Sequence, residues 1–211
     1  MRVYKFLSSE FALKDIREHR IKISEIHDLN DPFELIPFDL SDPDFRRGII
    51  KSRDEMNRRG VLSFSSKWNN PLLWSHYADK HKGICLGFDV VAADENTIYV
   101  EYANERLPPP LKLDASFALN LLRTKFAGWE YEGEVRIFAT RDTEENGYYY
   151  ANFDGNGLVL REVIVGHRCC VERGQIIGLT TSYPAQEQIE IMKARLSFTT
   201  FMVIENPDSF S

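Results

Sequence analysis

Cysteine is scarce and unpatterned in this chain of 211 residues. Cys85, Cys169 and Cys170 make an odd count without framework spacing, which excludes a disulfide scaffold. Cys85 sits in an apolar run and reads as a small buried residue. The adjacent Cys169 and Cys170 cannot easily bond each other, so a reducing cytoplasm fits best. C-x-x-C and H-x-x-x-H spacings are missing, and no metal is expected. Equally missing are a G-x-S-x-G elbow, a P-loop and a G-x-G-x-x-G turn, which argues against a hydrolase elbow and a doubly wound dinucleotide-binding sheet. No apolar run approaches the ~20 residues of a membrane span, and the opening MRVYKFLSSE lacks the apolar core of a secretion signal. The expectation is a soluble cytoplasmic protein without a membrane partner. Positive charge is also short. With 26 Lys and Arg against 32 Asp and Glu, the net charge is -6, so nothing global draws the chain to nucleic acid.

What is present is ordinary in bulk: 43% hydrophobic and 27% charged, the proportions of a globular protein. The length suffices for one core that stands without disulfides or metals, and a single domain over residues 1–211 is expected. Aromatics at 12% point to large packed sheets or stacking surfaces. Periodicity and turn residues predict strands at 3–7, 20–24, from 61 into a serine-rich end, 84–88, 97–102, 129–140, 148–153, 158–165, 188–194 and 199–205. Helices are predicted at 10–19, 45–59, from Pro71, 114–127 and 172–179, with Ser8 or Ser9, the asparagines before Pro71, and Asp114 as caps. The turn at 154–157, DGNG, reads as a hairpin joining its two flanking strands. The fold class is α+β, with a mixed, largely antiparallel sheet and helices mainly in the N-terminal two thirds.

The densest chemistry lies at 61–89, VLSFSSKWNNPLLWSHYADKHKGICLGFD. Three serines, Trp74, His76, Tyr77, His81 and Lys82 fall between two strands there. That makes it either a pocket liner or a core unit with a polar outer face. Asn30 and Asp31 precede Pro32, a good helix start or tight turn whose side chains are also placed to orient a ligand. In WEYEGEVRIFAT at 129–140, strict alternation sets Glu132 and Glu134 on one strand face, ~7 Å apart. They are either an acid pair for general base work or an ion-paired face neutralised by Arg136.

Several of these segments share an order. NDPFE at 30–34, LSFSS at 62–66, WSHYADKHKGICLGF at 74–88, WEYEGEVRI at 129–137 and LREVIVG at 160–166 resemble the uncharacterised, mostly bacterial family of domain of unknown function 2971. The resemblance runs from Tyr4 to about Val203 and implies no established activity. The order of elements also resembles the ADP-ribosyltransferase fold. There a first strand offers a His, Tyr or Arg, a middle strand ends in serines, and a later one carries E-x-E. Tyr4, Ser63-Phe64-Ser65 and Glu132-Gly133-Glu134 match.

That resemblance implies NAD as the nucleotide used, an acceptor macromolecule and a toxin or defence role. It assigns Tyr4 to the ribose or nicotinamide region, Ser63 and Ser65 to the nicotinamide pocket, and Trp74 or Tyr77 to ring stacking. Glu134 would hold a ribose hydroxyl, and Glu132 would position or deprotonate the acceptor. His81, Lys82 and Arg136 would meet the pyrophosphate, with Asn30, Asp31 and His76 orienting the substrate. A non-enzymatic module that binds a small molecule or partner is the alternative. A metal-dependent hydrolase using Asp31, Asp79 and Glu134 is a third, for which no spacing speaks.

Overall fold

A computed structural model describes residues 1–24, 30–56, 60–91, 97–139, 141, 143–184 and 188–208. The chain opens with β1 (Arg2–Leu7), α1 (Ser9–Glu18) and β2 (Arg20–Lys22). Ser8 caps α1 by accepting from the Phe11 amide, and the helix ends at His19 in a left-handed conformation. After α2 (Pro43–Met56) come β3 (Gly60–Ser65), α3 (Pro71–Tyr77) and β4 (Ile84–Val90). Residues 57–59 of the expected second helix lie outside the described residues, as does Thr140. The middle of the chain carries β5 (Thr97–Tyr99), β6 (Glu101–Ala103), α4 (Ala115–Arg123), β7 (Thr124–Phe126) and β8 (Glu134–Ala139). Then follow β9 (Thr143–Glu145), β10 (Tyr148–Asn152), β11 (Leu158–Val165), α5 (Arg173–Thr180), β12 (Glu190–Leu196) and β13 (Val203–Glu205).

Eight of these strands form one sheet in the order β13-β12-β11-β4-β1-β3-β8-β5. Its pairs are antiparallel except β11 with β12. The fold is therefore α+β with a mixed, largely antiparallel sheet. Alternation along β4 sends Ile84, Leu86 and Phe88 to a core shared with α1 and α5. Cys85 faces the other way, into a cluster with Phe6, Leu73 and Trp74 under α3. Among the described residues no helix is long and apolar enough to cross a membrane.

One joint in the sheet is weak. Strand β1 pairs with β4 along its whole length, from Arg2 to Leu7, but meets β3 at a single point, Tyr4 opposite Ser65. Beyond that point β1 and β3 diverge, and the Lys5 ammonium reaches across to the Ser63 carbonyl at 3.0 Å. A main-chain acceptor that has lost its ladder partner is thus satisfied by a side chain.

Four sequence expectations are corrected. The strand expected over 129–140 begins only at Glu134. Ala127–Glu132 is a 3-10 turn, and Gly133 at φ +50 turns the chain into β8. Three successive carbonyls explain the break. Tyr131, Glu132 and Gly133 accept from the Asn70 side chain, the Ser65 hydroxyl and the Ser66 amide, at 2.9, 2.6 and 2.9 Å, instead of from a neighbouring strand. The stretch 97–102 splits at Val100, with β5 on the edge of the large sheet and β6 paired to β7. The helix expected to 127 stops at Arg123, and Thr124–Phe126 becomes β7. Finally, the glycine turn at 154–157 closes no hairpin. Strand β10 pairs with β2 and β9 in a separate three-stranded sheet, whereas β11 pairs with β4 and β12.

Candidate functional site

Register places three side-chain positions in one row. Tyr4 of β1 lies opposite Ser65 of β3, and Ser65 lies opposite Glu134 of β8. Neighbouring strands are ~4.8 Å apart, so Tyr4 and Glu134 are about two such spacings from each other. On its other side Tyr4 lies opposite Gly87, which in turn lies opposite Glu162. A Cβ at Gly87 would sit 2.8 Å from a Glu162 carboxylate oxygen and 3.1 Å from the Tyr4 ring, so only glycine admits both side chains. Where the sheet splits, this row opens into a cleft of about 320 Å³. It is also lined by Asn30, Asp31 and Glu34, by Leu73 and Tyr77 of α3, and by Lys125, Trp129 and Glu132.

The cleft rests on a buried charge network. Arg136 donates through Nε to Glu134 Oε1 at 2.9 Å and through Nη2 to Glu134 Oε2 at 3.1 Å. Its Nη2 also pairs with Glu34 Oε1 at 2.6 Å, and its Nη1 donates to the Leu122 carbonyl at 2.8 Å. Lys125 Nζ bridges Glu132 Oε2 at 2.5 Å and Glu134 Oε2 at 2.9 Å. The Tyr77 hydroxyl donates to the remaining oxygen of Glu132. Bidentate and charge-assisted bonds of this kind fix both position and ionisation.

Burial would push Glu134 up, but Arg136 and Lys125 outweigh it and hold the carboxyl at about 2. For Glu34, burial prevails over Arg136 and raises it. Lys125 is buried too, yet Glu134, Glu132 and Glu34 raise it above the ordinary lysine value. Burial lowers Lys5, against Asp15 and Glu134. Tyr4 is pushed up to about 12 by burial and by the Glu162 charge, so it stays a neutral phenol at physiological pH.

The structure brings together Tyr4, Ser63, Ser65, Tyr77, Asn30, Asp31, Glu132 and Glu134 in the cleft. Glu132 arrives there from the 3-10 turn, not from a shared strand face. Ser65 does more than face the cleft: its hydroxyl donates to the Glu132 carbonyl and so pins that turn.

The other expected residues lie elsewhere. Trp74 is fully buried, edge-on to Phe6 with ring centroids 5.2 Å apart, and its Nε1 donates to the Trp68 carbonyl. It is a core residue with no ring face left for a ligand. His81 stacks over Trp74 at 6.3 Å and faces His167 at 5.8 Å. Its Nε2 lies 3.1 Å from the Ser75 hydroxyl. Lys82 is exposed in the turn before β4, and His76 is exposed on α3 beside Tyr131. Arg136 lies beneath the cleft, saturated by carboxylates. The expected phosphate-binding trio of His81, Lys82 and Arg136 is therefore not assembled.

Glu34, Lys125 and Lys5 line the cleft without having been foreseen. Glu34 follows Asp31 by three residues in a turn, a spacing that sets both acids on one side. Lys125 carried no such signal, because its stretch reads as the tail of a helix. Among the described residues no group of three or more histidine, cysteine or acidic side chains is placed to hold a metal ion.

Residues 73–137 match the family described as "Protein of unknown function (DUF2971)", which bears out the resemblance over that segment. The matched segment carries Tyr77, Lys125, Glu132 and Glu134 of the cleft, while Tyr4, Asp31 and Ser65 lie outside it. No curated protein and no solved structure matches the chain.

Proposed function

We propose that the cleft binds NAD as a substrate and that the chain is an ADP-ribosyltransferase-like enzyme. The observation that supports this best is the Tyr4–Ser65–Glu134 row, on adjacent strands and facing one cleft. Glu134 is kept ionised by Arg136 and Lys125 in surroundings that exclude most water. A fixed carboxylate there favours positive charge developing at a ribose carbon as its bond to nicotinamide breaks. The electron pair of that bond leaves with the nicotinamide nitrogen, and the acceptor's nucleophile takes its place at the ribose carbon. Glu132, fixed by Tyr77 and Lys125, is placed to receive the acceptor's proton. Tyr77 and Trp129 offer aromatic surface beside these acids, which suits a cationic planar ring.

One observation favours a second reading, a non-enzymatic binding module. Both oxygens of Glu132 and both of Glu134 already hold a donor from the protein itself.

Purified protein incubated with labelled NAD and a total cell extract separates the two. The enzyme should release nicotinamide and label an acceptor, and Glu134→Gln should lower both by at least 100-fold at an unchanged far-UV spectrum. A thermal shift with NAD without nicotinamide release would favour the module. No shift and no release would remove NAD from consideration.

A further inference from the structure

The cleft holds two lysines in opposite situations. Lys125 Nζ bridges Glu132 and Glu134, so it is a fixed ammonium with no lone pair to offer. Lys5 has no such partner. Among the described residues its Nζ forms no ion pair, and its hydrogen bond goes to the neutral carbonyl of Ser63 at 3.0 Å. The side chain spans the gap where β1 and β3 part, with Nζ 5.9 Å from the centre of the Phe64 ring. It lines the cleft and keeps part of its surface open.

An ammonium at this place has three N–H donors for one acceptor, and it forfeits hydration at the others. A neutral amine donates to Ser63 and holds its lone pair ready. Burial works in that direction and lowers the group below the ordinary lysine range; Asp15 of α1 and Glu134 of β8 oppose it without pairing with it. Where surroundings push two like groups apart, they give them different roles, and a lysine pushed toward its neutral form is a nucleophile.

We propose that Lys5 Nζ forms an imine with a small uncharged aldehyde or ketone seated in the cleft. The nitrogen lone pair attacks the carbonyl carbon, the C–N bond forms, and the carbonyl π pair moves to oxygen. That oxygen leaves as water with the two protons the amine gives up, so the step consumes no oxidant and no reductant. Four carboxyls line the cleft (Asp31, Glu34, Glu132 and Glu134), which disfavours a carbonyl compound with a negative charge of its own. This assignment is independent of the NAD reading, and its test uses no nucleotide.

The full chain is incubated at pH 7 with butanal and sodium cyanoborohydride, which reduces the imine to a stable secondary amine. Peptide mass mapping then locates the modified lysines. Lys5 should be alkylated at least tenfold faster than the exposed Lys67, Lys80 and Lys82. Its rate should level off with rising butanal concentration, whereas theirs rises in proportion. Glyoxylate, an aldehyde that carries a carboxylate, should lower the ratio of Lys5 to exposed-lysine labelling by at least tenfold. Lys5→Arg, which keeps a donor for Ser63, should leave labelling of the other lysines unchanged and abolish the levelling phase. The wild-type comparison stands by itself should that variant misfold. Alkylation of Lys5 no faster than of the exposed lysines, or in simple proportion to butanal, overturns the proposal. An equal ratio with glyoxylate overturns the uncharged class.

Discussion

At the scale of single residues, two buried carboxyls carry opposite consequences for stability. Asp15 lies on the inner side of α1, where burial pushes it up to about 7 from an ordinary 3.8, with Lys5 partly opposing the shift. The folded protein therefore keeps a proton that the unfolded chain has released. Stability contributed by this group is full below about pH 4 and falls as pH rises toward 7. Glu134 runs the other way. Despite its burial, Arg136 and Lys125 hold it at about 2 against an ordinary 4.5. Its contribution is present above pH 4.5 and disappears as pH falls toward 2. Urea unfolding measured across this range should show wild-type stability declining from pH 4 to 7, with Asp15→Asn making that slope shallower and Glu34, which burial also raises, supplying part of what is left. A slope left intact in the variant would mean that some other group is responsible. Lys125 shows what a sequence conceals at this scale. It is an ordinary lysine in a TKF stretch, yet it joins two carboxylates of the cleft from a short strand.

At the scale of elements, the turn between Phe126 and Glu134 decides the geometry of the site. Gly133 holds φ +50, and a Cβ there would sit 2.7 Å from the Ser66 hydroxyl oxygen. An L-residue in this conformation costs roughly 1–2 kcal/mol before any clash is counted. Gly133→Ala should therefore lower stability by about 2 kcal/mol in denaturant unfolding and shift the position of Glu132, with little change in the denaturant slope. A loss under about 0.5 kcal/mol would mean that the turn relaxes freely. Local chemistry was legible here where it acts over a few residues. Ser8, Asn70 and Asp114 accept from the first-turn amides of their helices, as their residue types and positions predicted. The alternation in WEYEGEVRI was equally clear but misleading. A strand pattern states a preference, and the donors on Ser65, Ser66 and Asn70 bid for the same carbonyls and win them.

At the scale of the whole molecule, the single paired position between β1 and β3, Tyr4 opposite Ser65, divides the large sheet. On one side β4 is paired along its length with both β1 and β11; on the other, β3, β8 and β5 form a separate three-stranded unit. Local openings follow contact density and the continuity of hydrogen bonding. Native-state hydrogen exchange should show the amides of β3, β8 and β5 opening together, at a lower free energy than those of β1, β4 and β11. Equal protection on both sides of the joint would show that the sheet opens as one unit. The same division makes the cleft, because strands that part leave space between their faces, and Lys5, which bridges them to the Ser63 carbonyl, lines it.

The sequence by itself determined the fold class, the helix starts and most strands, and it named Tyr4, Ser65, Asp31 and Glu134. All but Tyr4, which only the resemblance to the ADP-ribosyltransferase fold assigned, depend on side-chain chemistry and periodicities that act within a few residues. Only the tertiary structure decided that β1, β3 and β8 would be neighbours in the register that aligns those residues. It also buried Trp74 and Arg136, left His81 and Lys82 outside the cleft, and brought in Lys125 and Glu34. Strand pairing and burial join residues up to 167 positions apart, as the hydrogen bond from the Tyr183 hydroxyl to the Ile16 carbonyl does. The hydrogen-bond donors and charges that settle such choices are invisible from within any one segment.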